Sequence, residues 1–412
     1  MTDEIENPED DQELESVPVT RPRDGLGHVI ETDEALTKAI MSLESGTGPV
    51  AIDAERASGF RYSQRAYLIQ IRRAGSGTHL IDPTGISIMS KLQDALTGVD
   101  WILHAASQDL VCLEHAGLSP TGKLYDTELA GRILGFPKVS LGTLIESELG
   151  FLLAKEHSAA DWSTRPLPES WLVYAALDVE FLLELWDVMR EALIEAGKYE
   201  WALQEFDHVR RTTKPIERID PWRRTSGMHA LKKSAELAIV RQLWLERDAL
   251  AKEIDLAPGR LLPDSTIVSI ATDAHEFAEK LDELPALRTR QVKKYGDKWI
   301  SATLVALQMP TSEYPAAKLS QDGPPAPRNW QVRNAVAWKR LEYARAVISA
   351  LAEQINVPQE NLITPDAVRR ILWEPPANVE ELETRLIDMQ VRPWQRENIG
   401  PILAEAIWPS AK

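Results

Sequence analysis

The chain has 412 residues, which points to more than one domain. Its 46 Lys and Arg stand against 63 Asp and Glu, a net charge of -17. That balance excludes a simple nucleic-acid coat protein, whose phosphate contacts rest on cations, but leaves room for a local basic track. No apolar run approaches the ~20 residues of a membrane span, and the acidic N-terminus is unlike a secretory signal. Cys112 is the sole cysteine, so no intramolecular disulfide is expected and a reducing cytoplasm fits best.

Residues 1–25 are rich in Asp, Glu and Pro and read as a disordered acidic tail. A first domain is expected over 26–207. It opens with a short helix, Thr32 to Leu43, followed by apolar strands at 49–53 (PVAID), 67–72 (YLIQIR), 79–82 (HLID) and 101–104. Ser107 is the expected N-cap of a helix carrying Asp109. Further helices are predicted over 126–134 and 141–149. A long helix follows through DWSTRPLPESWLVYAALDVEFLLEL (161–185), with Pro168 at its first position. Leu172, Ala175, Ala176, Val179, Leu182, Leu183 and Trp186 recur at helical spacing and define a buried stripe. Strands alternating with helices make this a mixed α/β domain.

Residues 208–234 read as a basic linker, and the surrounding stretch 208–241 interleaves Arg and Lys with Trp222. That composition suits a phosphate-tracking surface with a stacking platform, or a plain solvated linker. Beyond it the chain is helical. The segments 241–264 and 339–366 resemble each other: an amphipathic helix, a Pro-containing turn, then Pro-Asp before another helix, with Asp264 and Asp366 as expected N-caps. Two small all-α bundles are predicted over 235–312 and 330–412, joined by a Pro-rich linker at 313–329. Trp299 and Trp394 are expected in their cores.

The chemistry concentrates in carboxylates. Asp53 and Glu55 alternate on one strand and so share a side. Tyr174 and Asp178 are one helical turn apart, with Phe181 and Leu185 making their surroundings apolar. A carboxylate among apolar side chains needs compensation. If Asp53, Glu55, Asp109 and Asp178 converge, divalent cations would neutralise them, and hard oxygen donors select Mg²⁺ or Mn²⁺. A pair of such ions suits phosphodiester hydrolysis. The plain alternative is four solvated acids.

Three segments carry a family resemblance. AIDAERASGFRYSQRAYLIQI (51–71), ILHAASQDLVCL (102–113) and YAALD (174–178) resemble the three motifs of DEDD-superfamily exonucleases. The last is of the tyrosine type; the histidine type would place His where Val173 stands. DTELAGRIL (126–134) and DWSTRPL (161–167) resemble the ribonuclease D family, and the helical repeats resemble HRDC domains. The resemblance spans about residues 45–410. It implies an RNase H-like 3′→5′ exonuclease domain with a mixed sheet, followed by two HRDC-like bundles. It also implies a metal-dependent exoribonuclease that releases 5′-mononucleotides and trims structured RNAs such as tRNA precursors; separately, a monomer is the expected state. By the same resemblance Asp53, Glu55, Asp109 and Asp178 hold two metal ions and Tyr174 orients the attacking water. Arg56, Gln108, Lys155 and Arg165 are candidates for substrate contact, each with a structural alternative. Two rival readings are the same chemistry on DNA and a binding scaffold without turnover.

Overall fold

The computed structural model describes residues 16–154, 160–213, 218–277, 279–288, 290–317 and 323–409. Lys155, His157 and Lys214 lie outside the described residues, as do residues 1–15 of the acidic tail.

A five-stranded mixed sheet carries the first domain. Its strands are β2 (Thr47–Arg56), β3 (Ala66–Ala74), β4 (Gly77–Ile81), β5 (Trp101–Leu103) and β6 (Leu124–Asp126), in the order β4-β3-β2-β5-β6. The β4-β3-β2 half is antiparallel and the β2-β5-β6 half parallel. The central strand β2 is the carboxylate strand: Asp53 lies opposite Gln70 and Glu55 opposite Leu68, with a register shift just beyond Glu55. Such a bulge bends a strand end and re-aims its side chains. One face of the sheet is covered by α1 (Asp33–Ser45), α2 (Met89–Ala95) and α3 (Leu110–His115). The other is covered by α4 (Thr127–Leu134), α5 (Leu141–Leu149), α6 (Glu169–Glu180), α7 (Leu182–Glu195) and α8 (Tyr199–Thr212).

Several expectations are corrected. The helix predicted through residue 185 breaks at Phe181, whose φ of -112° and ψ of 1° leave the helical region. The apolar stripe continues across the break because Leu182, Leu185 and Trp186 still face the core. Ser107 is not a cap: Ala106–Gln108 forms a 3-10 turn and Asp109 itself precedes α3. Residues 16–25 are ordered, against the expected tail. Val17–Val19 forms strand β1, paired in parallel with β7 (Phe151–Leu153). Beyond it Arg23 reaches Glu180 at 2.7 Å and Glu184 at 2.6 Å. Glu180 is fully buried and also meets Arg72 at 3.3 Å, so this segment supplies half of the cation charge that makes its burial tolerable.

The basic stretch after α8 is likewise not a stacking platform. Trp222 is buried in the core of the first helical module. Arg210 and Arg211 pair with Asp207, Arg223 pairs with Asp220, and Arg241 donates to the Glu313 carbonyl.

The helical repeat is present. In the first module α9 (Ser234–Glu253), α10 (Pro258–Leu261) and α11 (Asp264–Asp273) are followed by α12 (Arg290–Lys293) and α13 (Gly296–Leu307). The second begins at α14 (Trp330–Arg333) and repeats the pattern in α15 (Ala335–Gln354), α16 (Gln359–Leu362) and α17 (Pro365–Trp373), then adds α18 (Val379–Asp388) and α19 (Pro393–Ile407). Trp299 and Trp394 are buried, as expected. The expected caps shift by one or two residues. Pro263 precedes α11, while Thr364 caps α17 by accepting from the Ala367 N–H. Asp264 instead pairs with buried Arg247 at 2.7 Å.

Both modules are joined to the first domain. Arg392 grips buried Glu205 of α8 at 2.6 and 2.8 Å, and Trp394 stacks on Trp201. The first module takes hold of the loop leaving β2: Arg260 donates to the Gly59 carbonyl at 2.7 Å and Ala257 N–H to the Phe60 carbonyl at 3.0 Å.

Candidate active site

Strand alternation brings Asp53 and Glu55 to the same side of β2, where α6 crosses the sheet. Asp178 projects from α6 toward them. One carboxylate oxygen each from Asp53, Glu55 and Asp178 lies within 4.8 Å of the others. The cleft around them, about 380 Å³, is also lined by Arg56, Ser58, His104, Gln108, Asp109, Ala160 and Tyr174. Four predicted carboxylates and the predicted tyrosine therefore share one cleft, though Asp109 stands outside the tight trio.

The position of Asp109 is set by a residue that the sequence reading treated only as a helix start. Asp126 ends β6, and its buried carboxylate accepts the N–H groups of Ala105, Ala106, Glu128 and Leu129. Ala105 has φ +58°, in the left-handed region, so the turn after β5 is held from the neighbouring strand. His104 bonds through Nδ1 to the Thr127 hydroxyl at 2.9 Å and so ties the residue after β5 to the start of α4. Burial pushes its pKa down to about 4.

The electrostatics are those of an anion cluster in need of cations. Burial, followed by Asp53, Asp178 and Asp109, pushes Glu55 up to about 10. Burial raises Asp53 to about 6, and burial with Asp53 nearby holds Asp109 and Asp178 well above the usual carboxylate range. The guanidinium of Arg56 works against this at Asp53, Glu55 and Asp109. Hydrogen bonding with Asp178 ties Tyr174 to the cluster; burial first, then Asp178 and Glu55, raises its hydroxyl above its ordinary value. An all-oxygen, hard-donor set in which ionisation is penalised by like charges is the environment that a divalent ion relieves. The residues present fit such a group.

Among the substrate-contact candidates, Arg56 and Gln108 line the cleft. Arg165 does not. It bonds Asp82 at 2.6 Å and the carbonyls of Tyr67, Trp162 and Thr164, so its guanidinium is committed to the fold. Arg61 is similarly engaged, donating to Ser163 at 2.9 Å.

A five-stranded mixed sheet with an acidic cleft of this make-up defines a 3′-5′ exonuclease domain, and residues 28–194 match the family described as 3′-5′ exonuclease. Residues 236–303 match the HRDC domain and 323–407 the 3′ to 5′ exonuclease C-terminal domain. The chain is similar to proteins described as ribonuclease D, and it spans less than two thirds of the length of the Bartonella henselae protein that it matches. It is 28% identical over 262 residues to ribonuclease D of Bartonella henselae, covering 62% of this chain and 63% of that one. A solved protein of Bifidobacterium adolescentis superposes with a TM-score of 0.88 at 35% identity, over 95% of this chain and 100% of that one. The Escherichia coli RNase D structure, described as an exoribonuclease involved in structured RNA processing, shares the fold with a TM-score of 0.66 at 24% identity, over 93% and 99% of the two chains. No helix among the described residues is long and apolar enough to cross a membrane.

Proposed function

We propose that the protein is a cytoplasmic, monomeric 3′→5′ exoribonuclease that releases 5′-mononucleotides and trims the 3′ ends of structured RNAs such as tRNA precursors. The observation that carries this reading is the convergence of Asp53, Glu55 and Asp178 within 4.8 Å in a cleft that also holds Asp109 and Tyr174. Asp53, Glu55, Asp109 and Asp178 would hold two divalent ions, Mg²⁺ or Mn²⁺. Bound there, the ions supply charge neutralisation and Lewis acidity for phosphodiester hydrolysis.

The chain's own residues do the rest. The Tyr174 hydroxyl, kept protonated at neutral pH, orients the attacking water as a hydrogen-bond donor or acceptor rather than removing its proton. Arg56, beside the carboxylates and on the cleft wall, meets the phosphate of the terminal nucleotide. Gln108, exposed at the rim, contacts the sugar or base.

The test is a time course on 5′-labelled single-stranded RNA with Mg²⁺ or Mn²⁺, beside EDTA and Asp53→Ala controls. A ladder shortening from the 3′ end, absent in both controls, is the expected result. Intact RNA with either metal but a clear gel shift would overturn the reading in favour of a binding scaffold. Equal rates on 3′-ribo and 3′-deoxy termini would widen the substrate to DNA.

A further inference from the structure

The acidic cleft has a neighbour. A second pocket, of about 410 Å³, lies along α6 and shares Tyr174 with the cleft. Its position follows from the sequence. Ser170, Val173, Tyr174 and Leu177 recur at three- and four-residue steps and so form one face of the helix. β1 and β7 run parallel with Val19 opposite Leu153, so the residues that follow them, Thr20 and Ala154, leave the pair side by side. Thr20, Arg21 and Ala154 complete the wall.

Floor and rim differ in chemistry. Val173, Leu177 and the Tyr174 ring make an apolar floor, with Leu177 buried. Thr20, Arg21 and Ser170 stand exposed at the rim. The hydroxyls of Thr20 and Ser170 make no hydrogen bond to another described residue. Arg21 meets Glu169 at 3.0 Å, but the two side chains are 71% and 66% exposed. A pair so open to water is held weakly and releases its guanidinium to a phosphate at little cost. Thr20 and Arg21 both lie ahead of residues 28–194, the stretch that matches the exonuclease family, so its motifs assign them nothing.

On the nuclease reading the cleft takes the terminal nucleotide, and its neighbour in the RNA must pass Tyr174. Ser170 stands one turn, about 6 Å, along α6 from that ring, within the span of a single nucleotide. We propose that the second pocket is the subsite of the penultimate ribonucleotide. The base lies on Val173, Leu177 and the Tyr174 ring, the 2′-OH meets the hydroxyls of Thr20 and Ser170, and Arg21 holds the 5′ phosphate. An apolar floor accepts any base face, whereas the 2′-OH is what separates RNA from DNA. Carboxylates and divalent ions act on the phosphate and do not read that group, so the choice of RNA falls to the segment ahead of the first domain. The same ribose bears the 3′ oxygen that leaves, so a grip on its 2′-OH also places the leaving group.

The experiment compares three 5′-labelled oligoadenylates: all-ribo, deoxy only at the terminal residue, and deoxy only at the penultimate residue. First-cleavage kinetics are read with Mn²⁺, and equilibrium binding of the same oligomers is read in EDTA. Wild-type protein is expected to lose roughly five- to ten-fold in kcat/KM and in affinity on the penultimate-deoxy oligomer, the worth of about one hydrogen bond. Thr20→Val/Ser170→Ala is expected to treat that oligomer and the all-ribo one alike. Arg21→Gln is expected to raise KM by about ten-fold with kcat unchanged and to keep the ribose preference. Melting serves as the folding control, since all three side chains are exposed. Cleavage by the wild-type protein with no preference at the penultimate residue would overturn the proposal and leave the nuclease reading standing, as would a preference that survives in the double variant. If the wild-type protein cleaves none of the oligomers, yet binds the penultimate-deoxy one more weakly and loses that difference in the double variant, the nuclease reading fails and the pocket stands.

Discussion

Asp255 and Asn356 hold the same place in the two helical modules, and each has a φ of +48°. Each ends the turn after a twenty-residue helix, and each turns its polar atoms to the nuclease domain. Asp255 accepts the Ser63 N–H at 2.8 Å. Asn356 donates to the Leu134 carbonyl at 3.0 Å, and its own carbonyl accepts Lys198 Nζ at 2.9 Å. One local motif therefore docks two modules at two different places. Asp and Asn suit it because they tolerate the left-handed region better than most residues.

The Asn356 contact can be weighed against a matched control. Gly135 has φ +85°, and a Cβ there would fall 2.4 Å from the Asn356 backbone oxygen; Gly150 has φ +72° with nothing within 4 Å. Gly150→Ala should cost about 1–2 kcal/mol of stability from backbone strain alone. Gly135→Ala should cost that amount plus the displacement of the Asn356 turn, and should expose the second module to limited proteolysis. Urea denaturation of the two variants measures the difference. Equal costs would show that the turn yields freely.

Asp178→Asn separates charge from fold. The carboxyl of Asp178 sits well above its ordinary range, chiefly through burial. A carboxylate with a raised folded pKa destabilises the native state once pH passes its unfolded value, about 4. The variant removes that penalty, so in EDTA at pH 7 to 8 it should melt at or above the wild-type temperature. Mn²⁺ should raise the wild-type Tm, by the usual linkage of ligand to folding, and move the variant little. RNA hydrolysis should fall by more than about 100-fold, beyond the usual cost of a merely supporting contact. A variant that melts lower in EDTA would argue against the electrostatic account.

Tyr174→Phe should keep the metal-dependent rise in Tm, because it leaves the converging carboxylates of Asp53, Glu55 and Asp178 in place. Its turnover should drop by roughly 10²-fold, within the range for a group that positions a reacting water. The limb of the pH–rate profile between pH 7 and 9 should be the same in both proteins, since the hydroxyl stays protonated there.

Arg165→Gln tests a structural assignment through pH. Burial alone would raise Asp82, but the hydrogen bonds from Arg165 and Thr84 outweigh it and hold the group below its usual value. A depressed carboxylate adds stability above its unfolded pKa, and that stability is lost as pH falls through the folded value. Wild-type stability should therefore decline below about pH 4, and the variant should show a shallower decline from a baseline lowered by roughly 2–3 kcal/mol, because the partner left behind is buried. Chemical denaturation at several pH values reads both. Unchanged stability with weakened RNA binding would return Arg165 to the list of phosphate contacts.

Trp222→Ala distinguishes core from platform. As a buried side chain of the first helical module it should cost about 3–5 kcal/mol. RNA affinity of the folded fraction should be unaffected, where a stacking residue would lose about ten-fold.

What the sequence made legible was whatever local periodicity encodes. Alternation put Asp53 and Glu55 on one side of β2, and the one-turn spacing of Tyr174 and Asp178 put both on α6 facing the cleft. The α5 helix, Leu141–Leu149, falls where it is predicted, and Ser140 caps it by accepting the Thr143 N–H. Strands β1, β6 and β7 have three residues each and exist only through partners distant in the chain, so no periodic signal announced them. The break at Phe181 was hidden because the apolar stripe runs through it. Composition misled at Trp222: cations around an aromatic look alike whether the ring is stacked on a base or sunk in a core, and only the carboxylate partners of Arg210, Arg211 and Arg223 tell them apart. Asp126 was visible as a helix start, but its grip on the turn before Asp109 is a contact between neighbouring strands.

The Arg23–Glu180 pair makes the stretch ahead of the nuclease domain part of its wall. Glu180 lies two residues beyond Asp178 and has no exposure to water. A protease that clips the chain between Gly25 and Gly27 would leave the domain boundary at residue 28 intact and still strip one of the two guanidiniums from a buried anion. Loss of a buried partner is among the costliest single changes a core can suffer. Nicking at the N-terminus would then be felt at the end of α6, so the intact length of the protein, more than its catalytic motifs, would decide how long it survives in a protease-rich extract.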